Sequence, residues 1–297
     1  MQRPEAANPR QAAPGALAGR RILITRTADR ARPLAALLQD VGAEPLVLPL
    51  IDFEKAANQA PLDAGLDRLS AGDFDWLVIS SVTTLRVLVE KAAGRGAAIT
   101  DLVPSSTKVA AVGTSSRRAL ESFGLAVDLV PVDVQSADGL VGAWEPGPSR
   151  VFLPQADIAA PGLREGLAGK GADVTAVVAY HTVDYPAREE ARLSAEVPAA
   201  VVNPVNGTPA VLDPADALEA LDAGTVDAVV AASPSAARRI SRTFPALGRC
   251  RFVAIGRPTA AEASRLGITV AATAQEPSPD GIVAALESVF ANEGNPQ

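Results

Sequence analysis

The stretch KVAAVGTSSRRALESFG (residues 108–124) returns as RFVAIGRPTAAEASRLG (residues 251–267), and this recurrence decides how the chain is read. In each copy an apolar run ends at a glycine, Gly113 or Gly256, and a helical pattern opens almost at once. Strand, tight turn and helix N-terminus form a layout that often cradles an anion. Neither copy has the three glycines of a dinucleotide fingerprint or the lysine of a P-loop.

Working outward, the duplication extends over most of the chain. RILITRTADRARPLAALLQDVGAEPLVLPLIDF (21–53) aligns with RVFLPQADIAAPGLREGLAGKGADVTAVVAYHT (150–182) at an offset of 129, placing Leu34 on Leu163 and Ile51 on Tyr180. DWLVISSVTT (75–84) meets DAVVAASPSA (227–236), and SADGL (136–140) meets SPDGI (278–282). Apolar strand-like runs alternate with amphipathic helical runs throughout, the pattern of α/β folding with parallel sheets and crossover helices. The offset grows to 152 at Ser81/Ser233 and falls to 143 at Gly113/Gly256, so the second copy carries a surplus before Asp227. Its residues, VPAAVVNPVNGTPAVLDPADALEAL, suit either a solvated insertion or a short added strand such as 199–202.

Composition bounds the partners. The chain has 297 residues, 48% hydrophobic and 21% charged, enough for two domains with proper cores. Aromatics are only 4%, which argues against base-stacking platforms. With 34 acidic residues against 27 basic ones, a net charge of −7 disfavours nucleic acid and anionic membranes. No apolar window reaches the ~18 residues of a membrane span. Cys250 is the only cysteine, which excludes an internal disulfide and fits a reducing compartment, with the cytoplasm as the default. Residues 1–19 read as a disordered tail and 291–297 as a flexible C-terminus.

Three polar corners recur at strand ends in both copies. One is a serine pair, Ser80 and Ser81 in the first copy and Ser233 and Ser235 in the second. Another is Gly-x-x-Ser/Thr, Gly113 with Ser116 and Gly256 with Thr259. The third, Ser-x-Asp-Gly at Ser136 and Ser278, reads chiefly as a helix N-cap. In an open parallel sheet such corners lie at the carboxyl ends of strands, where ligands bind. Helix N-termini there offer unpaired N–H groups and partial positive charge, which suits a ligand with many carboxylates. His181 is the only histidine, no serine sits in a nucleophile elbow, and no metal-ligand spacing occurs. The candidate proton donor is Tyr180, at the end of DVTAVVAYHT. Arg26 either binds a carboxylate or fixes the end of its strand, and the second reading is adopted.

In this order, ILITR, GAEPLVLPLIDF, FDWLVISSVTT, VAAVGTSSRRALESFG, SADGL, VVAYHT, VDAVVAASPSAARRI, VAIGRPTAAEASRLG and SPDGI resemble the uroporphyrinogen-III synthase family over about residues 19–290. The resemblance implies two similar open parallel-sheet domains joined by a two-stranded connector, with the active site in a cleft between them. One domain would combine 20–50 with 183–290, and the other would span 53–179. The implied reaction, a hydro-lyase step of haem biosynthesis, closes linear hydroxymethylbilane to uroporphyrinogen III. Water is lost, the last pyrrole is inverted, and neither metal nor organic cofactor takes part. A monomer is expected. The alternative is a non-catalytic tetrapyrrole or small-anion sensor on the same scaffold.

The resemblance gives Tyr180 the role of donor to the leaving hydroxyl. An ordinary phenol, with a pKa of about 10, keeps its proton at neutral pH. It gives Ser81, Ser116, Ser233 and Thr259 the substrate carboxylates, with Ser80, Ser235, Gly113 and Gly256 shaping the same corners. The chain departs from the family pattern at Thr27, where proline is usual, at Thr83 for asparagine, and at Ser116 for threonine.

Overall fold

The computed structural model describes residues 15–145, 147–193 and 209–291, which form two compact units: 15–50 with 209–291, and 51–193. The first unit opens with β1 (Arg21–Ile24), α1 (Ala28–Asp40) and β2 (Glu44–Val47). The second begins with β3 (Ile51–Lys55), α2 (Ala60–Ser70), β4 (Trp76–Ile79), α3 (Val82–Gly94), α4 (Ile99–Leu102) and β5 (Lys108–Ala111). It continues through α5 (Thr114–Ser122), α6 (Ala137–Ala143), β6 (Ser149–Ala156), α7 (Gly162–Gly169) and β7 (Ala172–Asp184). The chain then returns to the first unit for β8 (Ala210–Val211), α8 (Pro214–Asp222), β9 (Ala228–Ala231) and α9 (Pro234–Thr243). There it ends with β10 (Arg251–Ala254), α10 (Arg257–Arg265), β11 (Val270–Thr273) and α11 (Pro279–Ala291).

The first sheet is wholly parallel, in the order β11-β10-β9-β1-β2-β8. The second runs β3-β7-β6-β4-β5, parallel except where β3 pairs antiparallel with the far end of β7. Central strands with helices on both faces are apolar at every position, and successive side chains enter opposite cores. Ile22 and Ile24 pack in one core while Leu23 enters the other. In the second unit Leu77 and Ile79 lie on one face and Val78 on the other. Helix α1 shows the matching helical spacing, burying Ala31, Leu34, Ala35 and Leu38, and the chain turns away at Gly42, whose φ is +79°.

The duplication is shared between the sheets. The order β2-β1-β9-β10 of the first unit is repeated as β7-β6-β4-β5 in the second. In sequence, however, β6 and β7 are the counterparts of β1 and β2, and β9 and β10 those of β4 and β5. Each sheet therefore joins the opening strands of one copy to the later strands of the other.

Three boundaries differ from expectation. Residues 15–19, expected in a disordered tail, form a turn that buries Leu17 in the first unit's core, and 1–14 lie outside the described residues. Residues 183–193 stay with the second unit instead of opening the first unit's return. The cause is a polar clip on β3: Arg188 bonds Glu54 through its amide (2.8 Å) and its guanidinium (2.8 Å), and Arg192 pairs with Asp52 at 3.0 Å. Leu193 then enters the core beside it. At the C-terminus α11 reaches Ala291, the first residue of the expected flexible end, and 292–297 lie outside the described residues. In the surplus segment, 199–202 also lies outside them. The described part adds β8 in parallel to β2, followed by α8, whose N-cap Asp213 accepts from the amides of Ala215 and Asp216.

Candidate binding and active site

The second unit joins two of the sequence candidates directly. Ser81 follows β4 and caps α3, its Oγ accepting from the Thr84 amide at 3.0 Å. The same oxygen lies 3.1 Å from the Tyr180 hydroxyl and 3.0 Å from Thr84 Oγ1. Tyr180 stands on β7 and is only 5% exposed, its ring edge-on to Phe53 with centroids 5.5 Å apart. A buried phenol needs hydrogen-bond partners, and the hydroxyl of the capping serine is one, with either oxygen able to donate. Ser80 is part-buried beside this pair.

The neighbouring histidine is occupied elsewhere. His181 Nδ1 lies 3.0 Å from Asp157 Oδ2, while its Nε2 accepts from the Ala57 amide at 3.2 Å. The ring therefore carries its proton on Nδ1 and donates it to the carboxylate. Burial pushes Asp157 up, but hydrogen bonds from His181 and the Thr182 amide outweigh it and leave the carboxyl below its ordinary value. This pair ties β6, β7 and the chain after β3 together.

At the next strand end Gly113 caps α5, and Ser116 lies in the first helical turn, 6% exposed. The amide and the hydroxyl of Thr114 both donate to Gln135 Oε1, at 3.1 and 2.9 Å. A neutral amide oxygen thus sits on the helix N-terminus where an anion would otherwise sit. Gln135 escaped the sequence reading, although it directly precedes the Ser136 corner.

The first unit carries the matching corners. Ser233 caps α9, accepting from the Ala236 amide at 3.1 Å, and its Oγ lies 2.9 Å from Ser235 Oγ. Gly256 caps α10, and its carbonyl accepts from the amides of Thr259 and Ala260, both at 3.1 Å. Pro258 has no N–H, so the Arg257 amide is the donor left to this first turn. Thr259 is 2% exposed. What the Gly113 and Gly256 corners present is therefore backbone and flanking side chains more than the buried hydroxyls of Ser116 and Thr259.

The Ser-x-Asp-Gly corners are caps in both units: Ser136 accepts from Gly139 and Ser278 from Gly281, each at 3.1 Å. Their glycines answer a steric demand. A Cβ on Gly139 would fall 1.7 Å from the Val134 carbonyl oxygen, and one on Gly281 2.3 Å from that of Glu276. Cys250 is a protonated filler, its thiol pushed up to about 12 by burial and then by Asp227. Among the described residues no group of three or more His, Cys, Asp and Glu is placed to hold a metal ion, and no helix is long and apolar enough to cross a membrane.

These features define a class: a two-unit α/β protein with duplicated polar corners after its parallel strands and a buried tyrosine–serine pair in one unit. Residues 32–284 match the family model described as "Uroporphyrinogen-III synthase HemD", and the chain belongs to that family. The uroporphyrinogen-III synthase of Synechococcus elongatus is 28% identical over 170 residues, which span 56% of this chain and 62% of that protein. The porphyrin biosynthesis protein HemD of Ruminiclostridium josui is 25% identical over 115 residues, 39% of this chain and 22% of its own. The fold matches that of a mutant uroporphyrinogen III synthase from Thermus thermophilus, with a TM-score of 0.56 at 20% identity, over 92% of this chain and all of that one. It also matches uroporphyrinogen-III synthetase from Helicobacter pylori, with a TM-score of 0.53 at 14% identity, over 91% and 99% of the two chains.

Proposed function

We propose that this chain is a uroporphyrinogen-III synthase, a hydro-lyase that closes hydroxymethylbilane to uroporphyrinogen III with inversion of the last pyrrole. The observation that carries the reading is the Tyr180–Ser81 pair at 3.1 Å, set in a chain of this family. Breaking the terminal C–O bond requires a proton on the departing oxygen. The Tyr180 hydroxyl supplies it, and the leaving group departs as water. The electron pair comes from the pyrrole system, and the proton later released from the closing ring returns to the phenolate. Ser81, held by the Thr84 amide, orients the phenol and hydrogen-bonds to the phenolate while it lasts. The strand-end corners bind the carboxylate arms and hold a flexible chain with its ends together, an entropic task worth several orders of magnitude in rate.

The reaction needs no cofactor in this reading, and the protein works as a cytoplasmic monomer. The test is incubation with freshly generated hydroxymethylbilane, followed by oxidation and separation of the porphyrin isomers. Isomer III formed faster than spontaneous closure is the expected result. Isomer I alone, at the uncatalysed rate, would sink the enzyme reading and favour a sensor.

A further inference from the structure

The two units carry the same corners with different charges. At the repeat offset of 129, Arg26 and Arg30 of the first unit stand where the second has Gln155 and Ala159. At the offset of 143, Arg257 stands where the second has Thr114. Arg26 lies just beyond β1, and Arg30 is one helical turn further on, in α1. β1 is flanked by β9, so Arg26 emerges beside the Ser233 corner, with the Gly256–Arg257 corner one strand further along.

Arg26 is part-buried, yet among the described residues neither its guanidinium nor that of Arg30 has an ion-pair or hydrogen-bond partner. Other arginines of this unit are engaged: Arg20 with Asp227 at 2.8 Å, Arg238 with Glu262 at 3.0 Å and Arg265 with Glu262 at 2.8 Å. Among the described residues Arg26 therefore makes no hydrogen bond or ion pair that would fix the strand end, the role that the sequence suggests for it. Burial and then the like charge of Arg30 pull it below its ordinary basicity. Keeping a desolvated cation beside another cation costs stability, and no anion among the described residues pairs with it to offset that cost. An anion arriving from outside removes both penalties, and a carboxylate matches the guanidinium fork with two parallel bonds.

We propose that Arg26, backed by Arg30, is the residue with which the first unit grips a carboxylate arm of the tetrapyrrole substrate. It sets affinity for the polycarboxylate without touching the reacting carbon. The ligand's identity rests on the synthase reading, and the test separates the two. Arg26→Gln installs the residue that the second unit carries at this corner, and Arg26→Lys keeps the charge but loses the fork. Three quantities are measured on the full chain: Kd for uroporphyrin, the stable octacarboxylate porphyrin; KM and kcat on hydroxymethylbilane; and the melting temperature.

Arg26→Gln should raise Kd and KM by about tenfold or more, the scale of one lost charge-assisted contact. kcat should stay within about twofold on the same argument, and Arg26→Lys should fall between. The melting temperature should hold or rise. Unchanged Kd and KM would overturn the proposal, as would failure of the unaltered protein to bind uroporphyrin. A lowered melting temperature with affinity intact would return Arg26 to a structural role. Arg26-dependent porphyrin binding without isomer III would sink the synthase reading and leave this one standing. Isomer III made equally well by Arg26→Gln would do the reverse.

Discussion

The two units share one strand order and one set of strand-end corners, yet they have specialised differently. In the second unit Tyr180 and Ser81 meet in a buried pair, and the Gly113 corner is plugged by the neutral oxygen of Gln135. Ile51, the sequence counterpart of Tyr180, also lies in the second unit, so the first has no residue at that position; there Pro277 is the counterpart of Gln135, and an arginine stands at Arg26 where the second unit has Gln155. Duplication supplies two equivalent places for a ligand, and a few side chains divide the work between them. In the division proposed here, the second unit holds the proton donor and the first holds the charge.

Substituting Tyr180 tests the division most directly. Tyr180→Phe should lower kcat by about 100-fold, the low end for a lost general acid, with uroporphyrin affinity little changed. Unchanged turnover would take the chemistry out of the second unit's pair and break the contrast. Glycines come next, because there the units should agree. Gly139→Ala and Gly281→Ala should each cost about 1–3 kcal/mol from overpacking, read as a fall in denaturant midpoint. Gly139→Ala should cost more, since its Cβ would lie 1.7 Å from a carbonyl oxygen against 2.3 Å for Gly281. A neutral result at either site would show that the corners differ in backbone as well as charge.

The smallest effect concerns acid. Hydrogen bonds from Arg188 hold Glu54 of the second unit down to about 2, and bonds from Arg265 and Arg238 do the same for Glu262 of the first. A folded value below the ordinary 4.5 means that each adds stability above about pH 4.5, which is lost as pH falls towards 2. Glu54→Gln should flatten the melting temperature over that window. Glu262→Gln should flatten it less, because its side chain is 14% exposed against 7% for Glu54. Equal flattening would remove this difference between the units.

Much of the site was legible because corners are local. A serine or glycine between an apolar run and a helical pattern caps that helix wherever it folds, and Ser81, Gly113, Ser233 and Gly256 all do so. The burial of Ser116 and Thr259 was not legible, since it depends on which core the first helical turn faces. Nor was the Ser81–Tyr180 contact, made across 99 residues by strands that are not neighbours, with β6 between them.

By itself the sequence determined the alternation of strand and helix, the duplication and the capping corners, because each follows from periodicity and backbone sterics over a few residues. Only the tertiary structure decided which strands share a sheet. Every buried parallel strand is an apolar run with the same unsatisfied backbone groups, and any other such strand can satisfy them. Long-range packing therefore chose β9 rather than β4 for β1, clipped 185–193 onto β3 through Glu54 and Asp52, and left Arg26 without a partner among the described residues.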